Sequence, residues 1–206
     1  FIPVAEETGL IHAIGEHVLQ QACFILRSWQ EQGVPCPPRL SINVSPWQLS
    51  HTHFTDMITR TLEEAGIEPA MLNLEITEST FLRDIKLATE KINRLSELGI
   101  NFSIDDFGTG YSALVWLKKL HVHELKIDRH FVRDIVLVKN DKLIETILAI
   151  ARHMDMRVVA EGVETEVQRM ALEMMGCRIF QGYLFSRPLP EAEYMQWMQE
   201  QYAKTA

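Results

Sequence analysis

The sequence has little cysteine. Cys23, Cys36 and Cys177 make an odd count of 3 with no Cys-x-x-Cys spacing. A disulfide framework and a structural zinc site are therefore not expected, and a reducing, cytoplasmic setting is the simplest. There is no apolar run of about 18 residues, so no membrane-spanning helix is expected in this chain. The opening Phe1-Ile2-Pro3-Val4 has neither a basic region nor an initiator methionine. It is not read as a signal peptide; the chain is read as a segment of a longer protein, which could be membrane-anchored elsewhere. Positive charge is scarce as well, with 20 Lys and Arg against 28 Asp and Glu and a net charge of −8. That excludes passive binding of a nucleic-acid polymer through a basic surface. A phosphate substrate stays open if metal ions reverse the local field. No low-complexity tract or interdomain linker interrupts the 206 residues, a length that suits one domain with a large core.

What is present alternates between two periods. Helical spacing predicts helices over Ile11–Gln32, Phe54–Ala65, Asp84–Leu98, Ser112–Leu120, Asp141–Met154, Glu164–Met175 and Pro190–Gln201. Between them lie short strand-like runs at Leu40–Val44, Leu72–Ile76, Asn101–Asp105, Glu124–Asp128, Arg157–Glu161 and Arg178–Gln181. Strands alternating with helices predict a parallel α/β fold, open to a doubly wound sheet or a barrel. A barrel of the (β/α)8 type is favoured because polar residues stand at the C-terminal end of nearly every strand, the face on which barrel enzymes build their sites. Only six of its eight strands are found.

Those strand ends carry Asn43, Glu75, Asp105 with Asp106, Lys126 with Asp128, Glu161 and Gln181. Packed together without counter-charge, so many carboxylates would repel and raise one another's pKa. Cations resolve the conflict, and oxygen donors with one amide suit Mg²⁺ or Mn²⁺. Two ions are the usual arrangement for phosphodiester displacement. Adjacent strand residues point to opposite faces, so the convergence of Asp105 and Asp106 is expected to require the strand to end there, with Gly108 and Gly110 turning the chain.

Several stretches together resemble the EAL domain family, whose members hydrolyse cyclic di-GMP to linear pGpG in bacterial signalling. They are Phe1–Gly9, Asn43-Val44-Ser45-Pro46, Leu74-Glu75-Ile76-Thr77-Glu78, Asp105–Ser112, Leu125-Lys126-Ile127-Asp128, Ala160–Glu164 and Gln181–Pro188. The resemblance implies a modified (β/α)8 barrel of TIM type and a site for two Mg²⁺ or Mn²⁺ ions. It implies Asn43, Glu75, Asp105, Asp106 and Glu161 as ligands and Lys126 beside the attacking water, with Glu161 open as either ligand or base. It further implies Asp128, Gln181 and Glu164 as outer or substrate-side polar residues, Arg187 and Pro188 near the substrate, and Glu78 holding the loop Phe107–Ser112. Homodimers and attached sensory or GGDEF-type domains are common in such proteins. The Glu-Ala-Leu that names the family is absent, which would account for the two missing strands. The domain is thus expected to be N-terminally incomplete over 1–206 and to be an enzyme only where that segment is supplied. A cyclic di-GMP receptor without turnover, or a regulatory module, is the alternative.

Other features have plainer readings. Asp106-Phe107-Gly108 lacks the glycine-rich loop and His-Arg-Asp of a kinase. His51 with His53, and His121 with His123, are read as surface or cap residues. Met154, Met156, Met170, Met174 and Met175 are read as core filling, and Trp29, Trp47 and Trp197 as packing or interface residues. Val115-Trp116-Leu117 is read as an extension of a dimer surface.

Overall fold

The computed structural model describes residues 1–33, 39–82, 84–108, 117–135 and 141–205. Six strands form one all-parallel sheet in sequential order: β1 (Leu40–Val44), β2 (Leu72–Thr77), β3 (Asn101–Phe107), β4 (Glu124–Ile127), β5 (Arg157–Ala160) and β6 (Ile179–Phe180). Helices supply the crossovers: α1 (Ile2–Thr8), α2 (Ile11–Glu31), α3 (Pro46–Ser50), α4 (Phe54–Ala65), α5 (Ile85–Glu97), α6 (Arg129–Asp134), α7 (Asp141–His153), α8 (Glu166–Met174) and α9 (Glu191–Thr205). The sheet does not close: the outer edge of β1 and that of β6 have no strand partner among the described residues. Residues 112–116 of the expected helix Ser112–Leu120, with Val115 and Trp116, and the tip of the loop after Asp106 lie outside the described residues, while Leu117, read with them as a dimer surface, is buried in the core instead.

The strands sort their side chains by face, apart from Val159 and Ile179, which are apolar and in register with Lys126. On one face, Ile42, Val44, Leu72, Leu74, Ile76, Phe102, Ile104, Leu125, Ile127, Val158 and Ala160 are buried with helix residues such as Leu26, Ile58, Ile92 and Ile144 in a single apolar cluster. The other face carries Ser41, Asn43, Asn73, Glu75, Thr77, Asn101, Ser103, Asp105, Glu124 and Lys126, as period-2 alternation requires. Most barrels fill that inner space with branched apolar residues. Here it is hydrogen-bonded instead: the Asn73 amide donates to Ser41 Oγ at 3.0 Å and to Ser103 Oγ at 2.9 Å.

The two ends of the chain pack together through aromatics. Trp29 of α2 donates from Nε1 to Glu191 at 3.0 Å and stacks on Tyr194, which stacks in turn on Trp197. These two tryptophans pack as expected, whereas Trp47 is 40% exposed. The methionines divide. Met154, Met156 and Met175 lie against the core, but Met170 and Met174 stand outward on α8, Met174 at 88% exposure. The expectation of core filling fails for those two because the buried stripe of α8 is carried by Gln168 and Leu172.

Short helices escaped the sequence reading. At α3, Ser45 and Gln48 form a reciprocal capping box ahead of a single turn. That turn ends on Lys91, a buried lysine of α5 whose ammonium donates to the carbonyls of Leu49 at 2.8 Å and His51 at 2.6 Å. Burial holds this ammonium below its ordinary pKa. Lys91→Met removes a donor from the Leu49 carbonyl and leaves the His51 carbonyl with the Phe54 N–H, and is expected to lower stability by about 1–3 kcal/mol, measurable by urea denaturation.

Candidate functional site

The site grows from an irregularity in β3. Ile104 pairs with Leu125, but Phe107 pairs with Ile127, so β3 carries one residue more than β4 across the same span. Asp106 absorbs it with a left-handed backbone, φ 53°. A bulge of this kind re-aims side chains without ending the strand. The expectation that the strand stops at Asp105 is thus corrected: β3 runs on to Phe107. The chain turns after it at Gly108, whose φ is +97°. Asp106 donates its backbone N–H to Asp105 Oδ1 at 3.0 Å, which locks the bulge.

Lys126 is the hub. It is buried, and its ammonium lies 2.8 Å from Glu75 Oε2 of β2, 2.6 Å from Glu161 Oε1 just past β5, and 4.0 Å from Asp105 Oδ1 of β3. Burial alone would lower its pKa, but Glu75 and Glu161 overturn that and hold it above the ordinary lysine value. The Glu161 carboxyl is pushed up, first by burial and against the pull of Lys126. Asp106 is raised to about 6, first by burial and then by its hydrogen bond to Asp128 and the nearby Asp105 charge. Asp128 caps α6 and accepts from His130 N at 2.8 Å and from the His130 ring. Despite partial burial, these bonds hold its carboxyl below the usual range.

A raised carboxyl pKa stabilises the fold when protonated. Asp106 therefore contributes stability that is fully present below its ordinary value of 3.8 and is lost as pH rises through about 6. In EDTA, the stability difference between wild type and Asp106→Asn is expected to shrink in the wild type's favour below pH 5 and to be constant above pH 7. Chemical denaturation across that range checks it.

The backbone behind Glu161 is equally constrained. Gly162 has φ +67°, and a Cβ there would meet Arg129 Cβ at 2.5 Å. Gly162→Ala combines a left-handed backbone with a clash and is expected to cost about 1–3 kcal/mol, read from the urea midpoint.

The structure brings together six of the residues singled out from sequence: Glu75, Asp105, Asp106, Lys126, Asp128 and Glu161. Asn43 is paired in register with Glu75 on β1, but its side chain is exposed and lines the groove beside the open sheet edge. Gln181 lies beyond β6, with its backbone bonded to Ala160 and Val163. Arg187 stands over the Tyr183 ring at 4.6 Å, and Pro188 is exposed beside it. Glu164 lines a separate recess with Arg129, His130, Arg133, Gly162 and Gln168. Glu78 is buried at the start of a 3-10 turn after β2; the loop it was expected to hold lies largely outside the described residues. Sequence reasoning passed over His130, whose signal was its i, i+2 spacing from Asp128 across a helix cap.

A parallel sheet with surrounding helices, carrying a lysine-centred cluster of carboxylates around the C-terminal ends of its strands, has the layout of the barrel-type enzymes that build their sites on that face. The chain belongs to the EAL domain family, which matches it over residues 1–188. It is 41% identical over 196 residues to the bifunctional diguanylate cyclase/cyclic di-GMP phosphodiesterase MucR of Pseudomonas aeruginosa, covering 95% of this chain and 28% of that protein. It is 41% identical over 193 residues to the cyclic di-GMP phosphodiesterase NbdA of the same organism, covering 93% and 24%. The chain thus spans less than a third of the length of these relatives. Among solved structures, it resembles the MucR phosphodiesterase in complex with c-di-GMP at TM-score 0.89 and 41% identity, covering 94% of this chain and 78% of that one. The EAL domain of Mycobacterium smegmatis DcpA matches at TM-score 0.85 and 37% identity, covering 90% and 84%. Among the described residues, no helix is long and apolar enough to cross a membrane.

Proposed function

We propose that this chain is a catalytic domain that hydrolyses cyclic di-GMP to the linear dinucleotide pGpG. The observation that carries this reading is the convergence of Glu75, Asp105 and Glu161 on Lys126, with Asp106 and Asp128 adjoining. One ammonium cannot balance so many acids, and every donor is a hard oxygen. That set fits Mg²⁺ or Mn²⁺. Glu75, Asp105, Asp106 and Glu161 would hold two such ions, with Asn43 added from β1. Once bound, the ions supply Lewis-acid polarisation of a phosphate oxygen and a more acidic water.

The chain's own residues would do the rest. Lys126, held in its charged form, keeps Glu75 and Glu161 in place and stabilises negative charge developing at the attacked phosphate. Glu161, with its raised carboxyl, is suited to accept a proton. Asp128 fixes the orientation of Asp106. Gln181, Glu164, Arg187 and Pro188 would contact the nucleotide around the rim, and Glu78 would hold the loop that follows Asp106. The unpaired edge of β1 faces a groove of about 950 Å³ lined by Ile14, Val18, Ile25 and Ile42. Turnover is expected where further chain covers that edge in the full-length protein. Homodimerisation, companion sensory or cyclase domains and a cytoplasmic setting belong to the same reading. The buried free thiols of Cys23 and Cys177 accord with a reducing compartment.

Product analysis tests this. Cyclic di-GMP incubated with the full-length protein in Mg²⁺ or Mn²⁺ should give the linear dinucleotide, and Ca²⁺, a larger ion that coordinates more loosely, should not support turnover. Bound but unaltered cyclic di-GMP would replace the enzyme with a receptor.

A further inference from the structure

The recess between the segments that follow β4 and β5 has a chemistry opposite to that of the carboxylate cluster. Arg129, His130 and Arg133 of α6 form one wall, and Gly162, Glu164 and Gln168 form the other, around a cavity of about 300 Å³. That volume is at the small end of binding pockets and suits one or two phosphoryl groups rather than a whole dinucleotide. We propose that the recess binds an oxyanion, the phosphate group of a phosphomonoester or free phosphate, at a site distinct from the carboxylate cluster.

Three observations carry the inference. The first is a buried donor. Gln168 is 8% exposed, and its Oε1 accepts the Glu164 N–H at 2.8 Å and the Thr165 N–H at 3.0 Å. Two backbone donors on that oxygen fix the orientation of the amide and turn Nε2 away from them. Among the described residues, Nε2 has no hydrogen-bond partner. A buried donor left without an acceptor is destabilising, and an anion seated in the recess would satisfy it. The second is charge. Among the described residues, the Arg129 guanidinium makes no ion pair or hydrogen bond. Arg133 gives only its Nε to Asp134, at 3.3 Å, which leaves both terminal nitrogens to a ligand. Guanidinium forks match the oxygens of a phosphate. Two arginines against the single acid of the wall, Glu164, run counter to a chain whose net charge is −8.

The third is a frame set before any ligand arrives. The His130 backbone N–H and ring both bond Asp128 Oδ1, which fixes the head of α6. Gly162 lets α6 close on the chain that follows Glu161, since a side chain there would strike Arg129. Thr165 and Gln168 form a reciprocal capping box that fixes the head of α8. Walls held in this way lower the ordering cost of binding.

Calorimetric titration of the full-length protein with pyrophosphate in EDTA tests the site, because without divalent ions the carboxylate cluster repels the probe. A saturable site is expected, weakening as salt is raised. Arg129→Gln and Arg133→Gln should each weaken it at least tenfold. Gln168→Glu keeps the capping box, which takes either residue, but turns a carboxylate oxygen into the recess; it should abolish binding with an unaltered melting curve. Asp105→Asn and Arg187→Gln should leave binding intact. Inorganic phosphate and GMP then separate the sources: tighter binding of GMP assigns the group to a nucleotide, tighter binding of inorganic phosphate assigns it to the free ion, and either supports the recess. No saturable binding, binding that survives Arg129→Gln with Arg133→Gln, or displacement of pyrophosphate by cyclic di-GMP would overturn it. None of these outcomes depends on hydrolysis of cyclic di-GMP.

Discussion

Asp105→Asn is expected to reduce cyclic di-GMP hydrolysis by at least about 10³-fold while leaving the fold intact. A loss of that size corresponds to about 4 kcal/mol of transition-state stabilisation. Asp105 stands at the bulge of β3, 4.0 Å from the Lys126 ammonium, with its Oδ1 accepting the Asp106 N–H. An amide oxygen at the same position can still accept that N–H, so the bulge survives. What disappears is a formal charge that a divalent cation needs from its oxygen donors. Glu75→Gln is expected to act in the same direction, since Glu75 is 7% exposed and faces Lys126 directly. Initial rates at saturating substrate, with circular dichroism as the control for folding, check both. Retained turnover in either variant would remove that residue from the site.

The second large effect is on stability and activity together. Lys126→Met should cost about 3–5 kcal/mol in the absence of divalent ions, the usual penalty for removing one partner of a buried ion pair. Glu75 and Glu161 would then face each other with Asp105 and no cation between them. Mg²⁺ should restore much of that loss, because binding to the folded state alone stabilises it by mass action. Turnover should remain lower by about 10²–10³-fold even in saturating Mg²⁺, since the charge aimed at the phosphate is gone. Urea denaturation with Mg²⁺ and with EDTA, run beside the rate assay, separates the two roles. A variant as stable as wild type in EDTA would show that Lys126 is not the hub.

Much of this was legible in the sequence because it rests on period-2 patterning. The runs Leu-Asn-Leu-Glu-Ile at 72–76 and Glu-Leu-Lys-Ile at 124–127 place one polar and one apolar face with no tertiary information. Sequential parallel order then brings Glu75, Asp105, Lys126 and Glu161 to the same face. The bulge was not legible. A left-handed Asp106 depends on register against β4, which no local signal specifies, although aspartate tolerates that backbone better than most residues. The helices α1, α3 and α6, with 7, 5 and 6 residues, are too short for a periodic signal and depend on caps and packing. Met170 and Met174 misled because composition names a residue's preference, whereas the angular position of Leu172 decides which side of α8 is buried. Asn43 was singled out by its place at a strand end and Arg187 through the family resemblance, and the structure leaves both residues exposed.

The most direct test is a metal cycle on cyclic di-GMP hydrolysis by the full-length protein: initial rates in Mg²⁺, after EDTA, and after Mg²⁺ is restored. The account predicts linear pGpG in the first and third conditions and none in the second. Equal turnover in EDTA would contradict a metal-dependent carboxylate site, and absence of pGpG in all three would contradict the phosphodiesterase.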